Sequence, residues 1–175
     1  MRTIDIRGIT NMELVRGGTS AWYWATDYVH GDLYEAEELF RQKNSVQSNR
    51  LYLIHYPDGM VYEPVLPVDG QYLGYPVFDG ESVVLLVVNF TESAIHILRF
   101  LHQQEKTQEV VRLPLSAVKD CYNLILHPSP LSLTRQPNDG TFEIIWPEQI
   151  RFAISSRETL NFRDGDKLYF SIWYE

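Results

Sequence analysis

Ser82-Val83-Val84-Leu85-Leu86-Val87-Val88-Asn89-Phe90 is the stretch on which the fold turns. Successive side chains of a strand point to opposite faces. The unbroken aliphatic run Val83 to Val88 therefore makes a strand that is apolar on both faces. Such a strand belongs inside a sheet that is covered from both sides. Its valines favour a strand, and the run is too short to cross a bilayer.

Reading outward, the polar Thr91-Glu92-Ser93 separates this strand from Ala94–Gln103. There Ala94, His96, Leu98, Phe100 and His102 share one face by alternation. After Gln104–Gln108 the chain returns as Glu109–Leu115. Three such segments make an up-and-down meander. It resembles the start of a propeller blade, and equally one sheet of a sandwich.

The rest of the chain has the same grain. Asp-Gly dipeptides at 58, 69, 79, 139 and 164 stand between apolar, β-prone runs, a strong hairpin signal. Leu51–Tyr56 and Met60–Val65 flank the first of them. Strands are also expected at Trp22–Val29, Lys119–His127, Leu131–Arg135, Thr141–Trp146, Arg151–Ser155, Thr159–Phe162 and Lys167–Tyr174. Gly17-Gly18-Thr19-Ser20 reads as a loop. Asp32–Lys43 fits two structures. As a helix it has Asp32 as cap, Glu35 at capping-box spacing and a Glu37–Arg41 pair. As a strand it would return from Trp22–Val29 through His30-Gly31-Asp32.

The expected fold is thus all-β, a single domain over residues 1–175, with about ten short antiparallel strands in hairpins and meanders and at most one helix at 32–43. A closed or propeller-like arrangement is favoured over a two-sheet sandwich. The unequal spacing of the Asp-Gly turns argues against a regular repeat.

Composition narrows the function classes. The net charge of −8, without any Lys/Arg run, repels phosphate backbones and argues against nucleic acid as partner. Cys121 is the one cysteine, so no internal disulfide forms. The residues Met1 to Arg7 are mixed and charged, with no apolar leader core. A cytoplasmic location without membrane attachment is expected.

Polar and aromatic groups are densest at 22–38. Trp22, Trp24, Asp27, Tyr28, His30 and Glu35 are the candidate ligand-binding residues. Aromatic faces stack on sugar rings and carboxylates take their hydroxyls. The competing account makes the aromatics core and the acids a solvated face. The five histidines, His30, His55, His96, His102 and His127, show no zinc-ligand spacing. His96 and His102 stand about 20 Å apart along a strand. Cys121 follows Asp120, whose charge raises a thiol pKa. Asp164-Gly165-Asp166 reads as a turn rather than a calcium loop, because Arg163 and Lys167 flank it. No phosphate-binding, nucleophile-elbow or zinc-protease motif occurs.

These observations point to no metal, no cofactor and no catalytic residues. The expected function is a non-catalytic binding or interaction module for a protein or small-molecule ligand. The alternative is a small glycan-acting hydrolase using carboxylates of the 27–38 cluster.

Overall fold

The computed structural model describes residues 3, 5, 11–18 and 21–173. Thr19, Ser20 and Tyr174, which the expected first loop and last strand include, lie outside the described residues.

The aliphatic run forms β7 (Val83–Asn89), buried along its whole length. It pairs antiparallel with β8 (Ala94–Leu101), from Val83↔Phe100 to Asn89↔Ala94. β8 pairs in turn with β9 (Lys106–Pro114), with an irregularity at Ile97/Leu98. This is the meander expected from the sequence. The other edge of β7 is shared by β5 (Gln71–Leu73) and β6 (Val77–Phe78).

Alternation along β7 sorts the core into two. Val83, Leu85 and Val87 pack with Trp22, Trp24, Leu51 and Leu53. Those residues belong to a sheet ordered β1 (Glu13–Leu14), β2 (Trp22–Thr26), β3 (Leu51–His55) and β4 (Val61–Tyr62). Val84, Leu86 and Val88 pack the opposite way, against Leu33 and Ala36 of the helix and Leu124, Leu126 and Leu133. The last three come from a sheet ordered β10 (Leu124–Pro128), β11 (Leu131–Arg135), β12 (Thr141–Trp146) and β13 (Ile150–Ala153). A hairpin of β14 (Glu158–Asp164) and β15 (Lys167–Ile172) follows. Its Phe170 meets Phe142 edge-on at 5.2 Å.

Among the described residues there are four antiparallel sheets, and none closes on itself. The preference for a closed or propeller-like arrangement is therefore corrected. β7 is apolar on both faces, so it is stable only between two layers. That requires stacked sheets rather than one sheet rolled up. Four of the Asp-Gly pairs do join paired strands. Asp69-Gly70 instead connects β4 to β5, which belong to different sheets.

The stretch at 32–43 is a helix, α1 (Leu33–Arg41). Asp32 Oδ1 accepts from the N–H groups of Tyr34 and Glu35, and the Glu35 carboxylate accepts from the Asp32 N–H. Gly31 makes room for that carboxylate: a Cβ there would lie 1.5 Å from Glu35 Oε2. Gly74 lets the helix close on the sheet, since a Cβ there would meet Leu33 at 2.9 Å and Leu86 at 3.1 Å. Glu37 faces inward, 4 % exposed. It accepts from Arg41 at 2.6 Å and from the Cys121 N–H at 2.5 Å, tying α1 to the chain entering β10.

A second buried charge set holds the β10–β13 sheet. Arg135 is 1 % exposed and stands opposite Glu143 in the β11–β12 register. Its guanidinium donates to Glu143 at 3.0 Å, to Asp120 Oδ1 at 2.5 and 3.0 Å, and to the Asp120 carbonyl at 2.9 Å. Burial alone would raise the Asp120 carboxyl. The Arg135 and Tyr122 hydrogen bonds and the Arg135 charge outweigh it, so its pKa lies below the usual range.

Candidate functional site

β2 ends at Thr26, and the chain there turns over the N-terminus of α1. Where this turn, the Gly74-Tyr75 segment after β5 and the start of β10 meet, they bound an open cleft with a cavity volume of about 80 Å³. Trp24, Tyr28, Asp32, Tyr72, Tyr75 and Asn123 line it. Trp24 is the floor, 5 % exposed, with its ring 5.3 Å from Tyr75 and edge-on to Tyr28 at 6.3 Å.

Tyr28 takes the left-handed backbone conformation, φ 47°. A bulky side chain rarely does so, and such residues gather at ligand sites. Asn123, on the cleft's other rim, has the same φ of 47°. Burial, then the neighbouring Tyr75 phenol and Glu13, pushes the Tyr28 hydroxyl up to about 12. Tyr72 fixes the rim: its hydroxyl donates to the Gly31 carbonyl at 2.8 Å and accepts from the His30 N–H at 3.2 Å. Burial, aided by Asp27, Asp32 and Glu35, raises it to about 12. Both phenols are thus neutral at physiological pH, and the Tyr72 proton is already given to the Gly31 carbonyl. Cys121 also lines the cleft, but burial and then Glu37 push its thiol far above the normal range. It supplies no thiolate at neutral pH.

Of the candidate residues, the structure brings Trp24 and Tyr28 together in this cleft. Trp22 shares β2 with Trp24 but lies elsewhere, 7 % exposed in the core. Asp27 accepts from the Arg50 N–H at 3.1 Å, His30 Nε2 accepts from the Gln47 N–H at 3.0 Å, and Glu35 completes the helix cap. Among the carboxylates of 27–38, Asp32 lines the cleft.

Trp22 leads to a second constellation. Its ring lies 4.6 Å from that of His55 and 5.1 Å from that of His102. His102 is not on strand β8; it opens a 3-10 turn, His102–Gln104, and meets the same Trp22 and Tyr62 rings as Phe100. The His55 and His102 rings are 4.7 Å apart. Asp58, in the β3–β4 turn, accepts from Met60 N–H with Oδ1 at 2.9 Å and from His55 Nδ1 with Oδ2 at 2.7 Å. The Met60 N–H, then His55, hold its carboxyl below the usual range. Tyr62 shares a 2.9 Å hydrogen bond with His102 Nε2. One ligand atom each from His55, Asp58 and His102 lie within 4.8 Å of one another.

Sequence reasoning leaves this group dispersed. Tyr62 and His102 are 40 residues apart, and only the packing of two sheets joins them. The usable signal is weak: a histidine three residues before an Asp-Gly turn acid. Tyr72, Tyr75 and Asn123 of the cleft carry no local signature either. Comparisons with protein-family models, with curated proteins and with solved structures find no match to this chain.

Proposed function

We propose that this protein is a non-catalytic binding module whose site is the Trp24–Tyr28–Tyr75 cleft. The observation that carries the reading is Tyr28. A tyrosine held at φ 47° sits over a cleft floored by a buried tryptophan. A left-handed bulky residue costs of order 1–3 kcal/mol and persists where the surroundings over-determine it. The cleft offers the exposed Tyr28 and Tyr75 rings above the buried Trp24 indole, with the Tyr28 hydroxyl neutral. That suits a small ligand with one apolar face and a hydroxyl-bearing edge, of which a saccharide ring is the type. Hydrolysis has less support, because Asp27, Glu35 and Glu37 each hold a backbone N–H and Asp32 caps the helix.

The test is a saccharide panel titrated against isotope-labelled protein. Binding should move the Trp24 indole and Tyr28 and Tyr75 ring signals, and Tyr28→Asn should abolish the shifts while the fold persists. No shift with any panel member, or shifts confined to other rings, would overturn the proposal.

A further inference from the structure

The histidine cluster carries a separate inference. His55 ends β3, Asp58 belongs to the β3–β4 turn, and His102 follows β8 in another sheet. Three chain segments thus converge their nitrogen and oxygen ligands, within 4.8 Å of one another, on one point. A mere turn lock would need only His55 and Asp58. The presence of His102, itself held by Tyr62, exceeds what the turn requires. Trp22 walls one side with buried apolar surface. On the other, His102 borders an open cleft with Trp22, Arg99, Gln103 and Gln108, so an ion has an entry path. Arg99 donates to Asp79 at 2.5 Å, while its Nε is buried without a hydrogen-bond partner among the described residues.

We propose that His55, Asp58 and His102 form a three-ligand site for a first-row divalent metal, zinc fitting best, with the fourth position open to an exchangeable water. Two imidazoles and one carboxylate are the donor set of open zinc sites. With bonds of 2.0–2.2 Å, tetrahedral ligands stand about 3.3 Å apart. The 2.7 Å contact of His55 with Asp58 must open slightly and the wider separations contract, which side-chain rotation supplies. Asp58 Oδ1 stays with the Met60 N–H and fixes the carboxylate's orientation, an outer hydrogen bond of the kind that supports metal ligands.

The experiment loads the full chain with Zn²⁺, removes free metal by dialysis, and measures bound zinc by elemental analysis. Co²⁺ absorption on the same protein reports coordination geometry. One ion per chain is expected. Loss of a direct ligand should weaken uptake by at least the about 10–100-fold typical of losing an outer partner, so His55→Gln, His102→Gln and Asp58→Asn should each do so. His96→Gln is the control. His96 contacts Glu109 at 2.7 Å and Glu92 at 4.0 Å, a second histidine–carboxylate grouping among the described residues. It should leave uptake unchanged.

Absence of zinc after dialysis overturns the proposal. So does uptake that survives His55→Gln and His102→Gln, or that disappears in His96→Gln. Should a variant fail to fold, the wild-type protein still decides. Zn²⁺ must shift the ring signals of His55 and His102 in its NMR spectrum, and their silence overturns the assignment.

Discussion

Replacing Arg135 by methionine keeps the apolar stem and deletes the guanidinium. The side chain is 2 % exposed, and its partners Asp120 and Glu143 are 16 % and 15 % exposed. The variant therefore leaves the nearly buried Asp120 carboxylate without its ion-pair partner and the Asp120 carbonyl without its donor, while Glu143 loses one of two cations and keeps Arg151 at 3.3 Å. Breaking a buried pair in this way costs about 3–5 kcal/mol. The residual exposure of both acids places this case near 3. For a chain of this size that corresponds to a fall in Tm of about 6–12 °C.

The pH dependence gives the sign an independent check. In the wild-type protein the Asp120 pKa is depressed. Its stabilisation is therefore present above the unfolded carboxyl value and fades as pH falls through the folded one. In Arg135→Met burial is opposed only by the Tyr122 N–H bond and the Arg41 charge, so the carboxyl rises from its depressed value and protonation relieves part of the penalty. The gap between the two proteins should narrow as pH is lowered from 7 to about 3, through the carboxyl range. Adding Asp120→Asn and Glu143→Gln should recover a large part of the loss at pH 7. Urea denaturation at both pH values measures all of this. A deficit below about 1 kcal/mol at pH 7, or one that does not shrink on acidification, would refute the account of Arg135 as the cation these acids depend on.

Three further outcomes follow from single residues. His127 bonds Thr134, and burial, then Arg16, lowers its pKa to about 4. Between the unfolded value near 6.5 and about 4 the unfolded chain binds the proton, so acidification over that window should remove about 3 kcal/mol; His127→Gln should flatten this limb of the stability–pH curve. Tyr28→Asn places at φ 47° a residue that tolerates it, so the variant should be at least as stable as wild type in thermal melts while losing cleft binding. Asp32→Ala removes the cap acceptor for Tyr34 and Glu35, and denaturation should register a loss of about 1 kcal/mol with reduced exchange protection at the start of α1.

The central strand was legible because burial on both faces is written in one short run, Val83 to Val88. The absence of closure was not, because no local pattern says whether a covered strand is covered by its own sheet or by another. The helix had its capping box in view, yet strand context balanced it. What decides is tertiary: Glu37 reaches the Cys121 N–H, a partner invisible from 32–43 alone. Arg135 is a comparable case. A cation in a strand reads as solvent-facing, but cross-strand Glu143 and the distant Asp120 let it turn inward. In the cleft, Trp24 and Tyr28 follow from aromatic alternation, whereas Tyr72, Tyr75 and Asn123 arrive from other elements. Asp58 shows the limit of motif logic. An Asp-Gly acid reads as turn chemistry, and one of its oxygens does serve the turn; the other faces His55.

Both proposed sites hang on one strand. Within β2, Trp22 contacts the histidines and Trp24, two positions on, contacts Tyr28 and Tyr75. Two residues of strand span only about 7 Å, which invites the idea that metal and ligand sense each other. The packing argues otherwise. Both indoles are buried in one core cluster, and β2 is held to β3 from Trp22↔His55 to Thr26↔Leu51. Coupling between sites requires an element with two arrangements that each ligand favours differently. A ladder locked at every position between the two indoles supplies one arrangement. Saturating Zn²⁺ should therefore change affinity at the cleft by less than about twofold, a coupling well below the range of allosteric systems. Trp22→Phe should perturb zinc uptake and leave the Tyr28 and Tyr75 ring signals in place. A zinc-dependent shift of those signals, or a larger change in affinity, would show that β2 moves as a unit and that the two sites form one device.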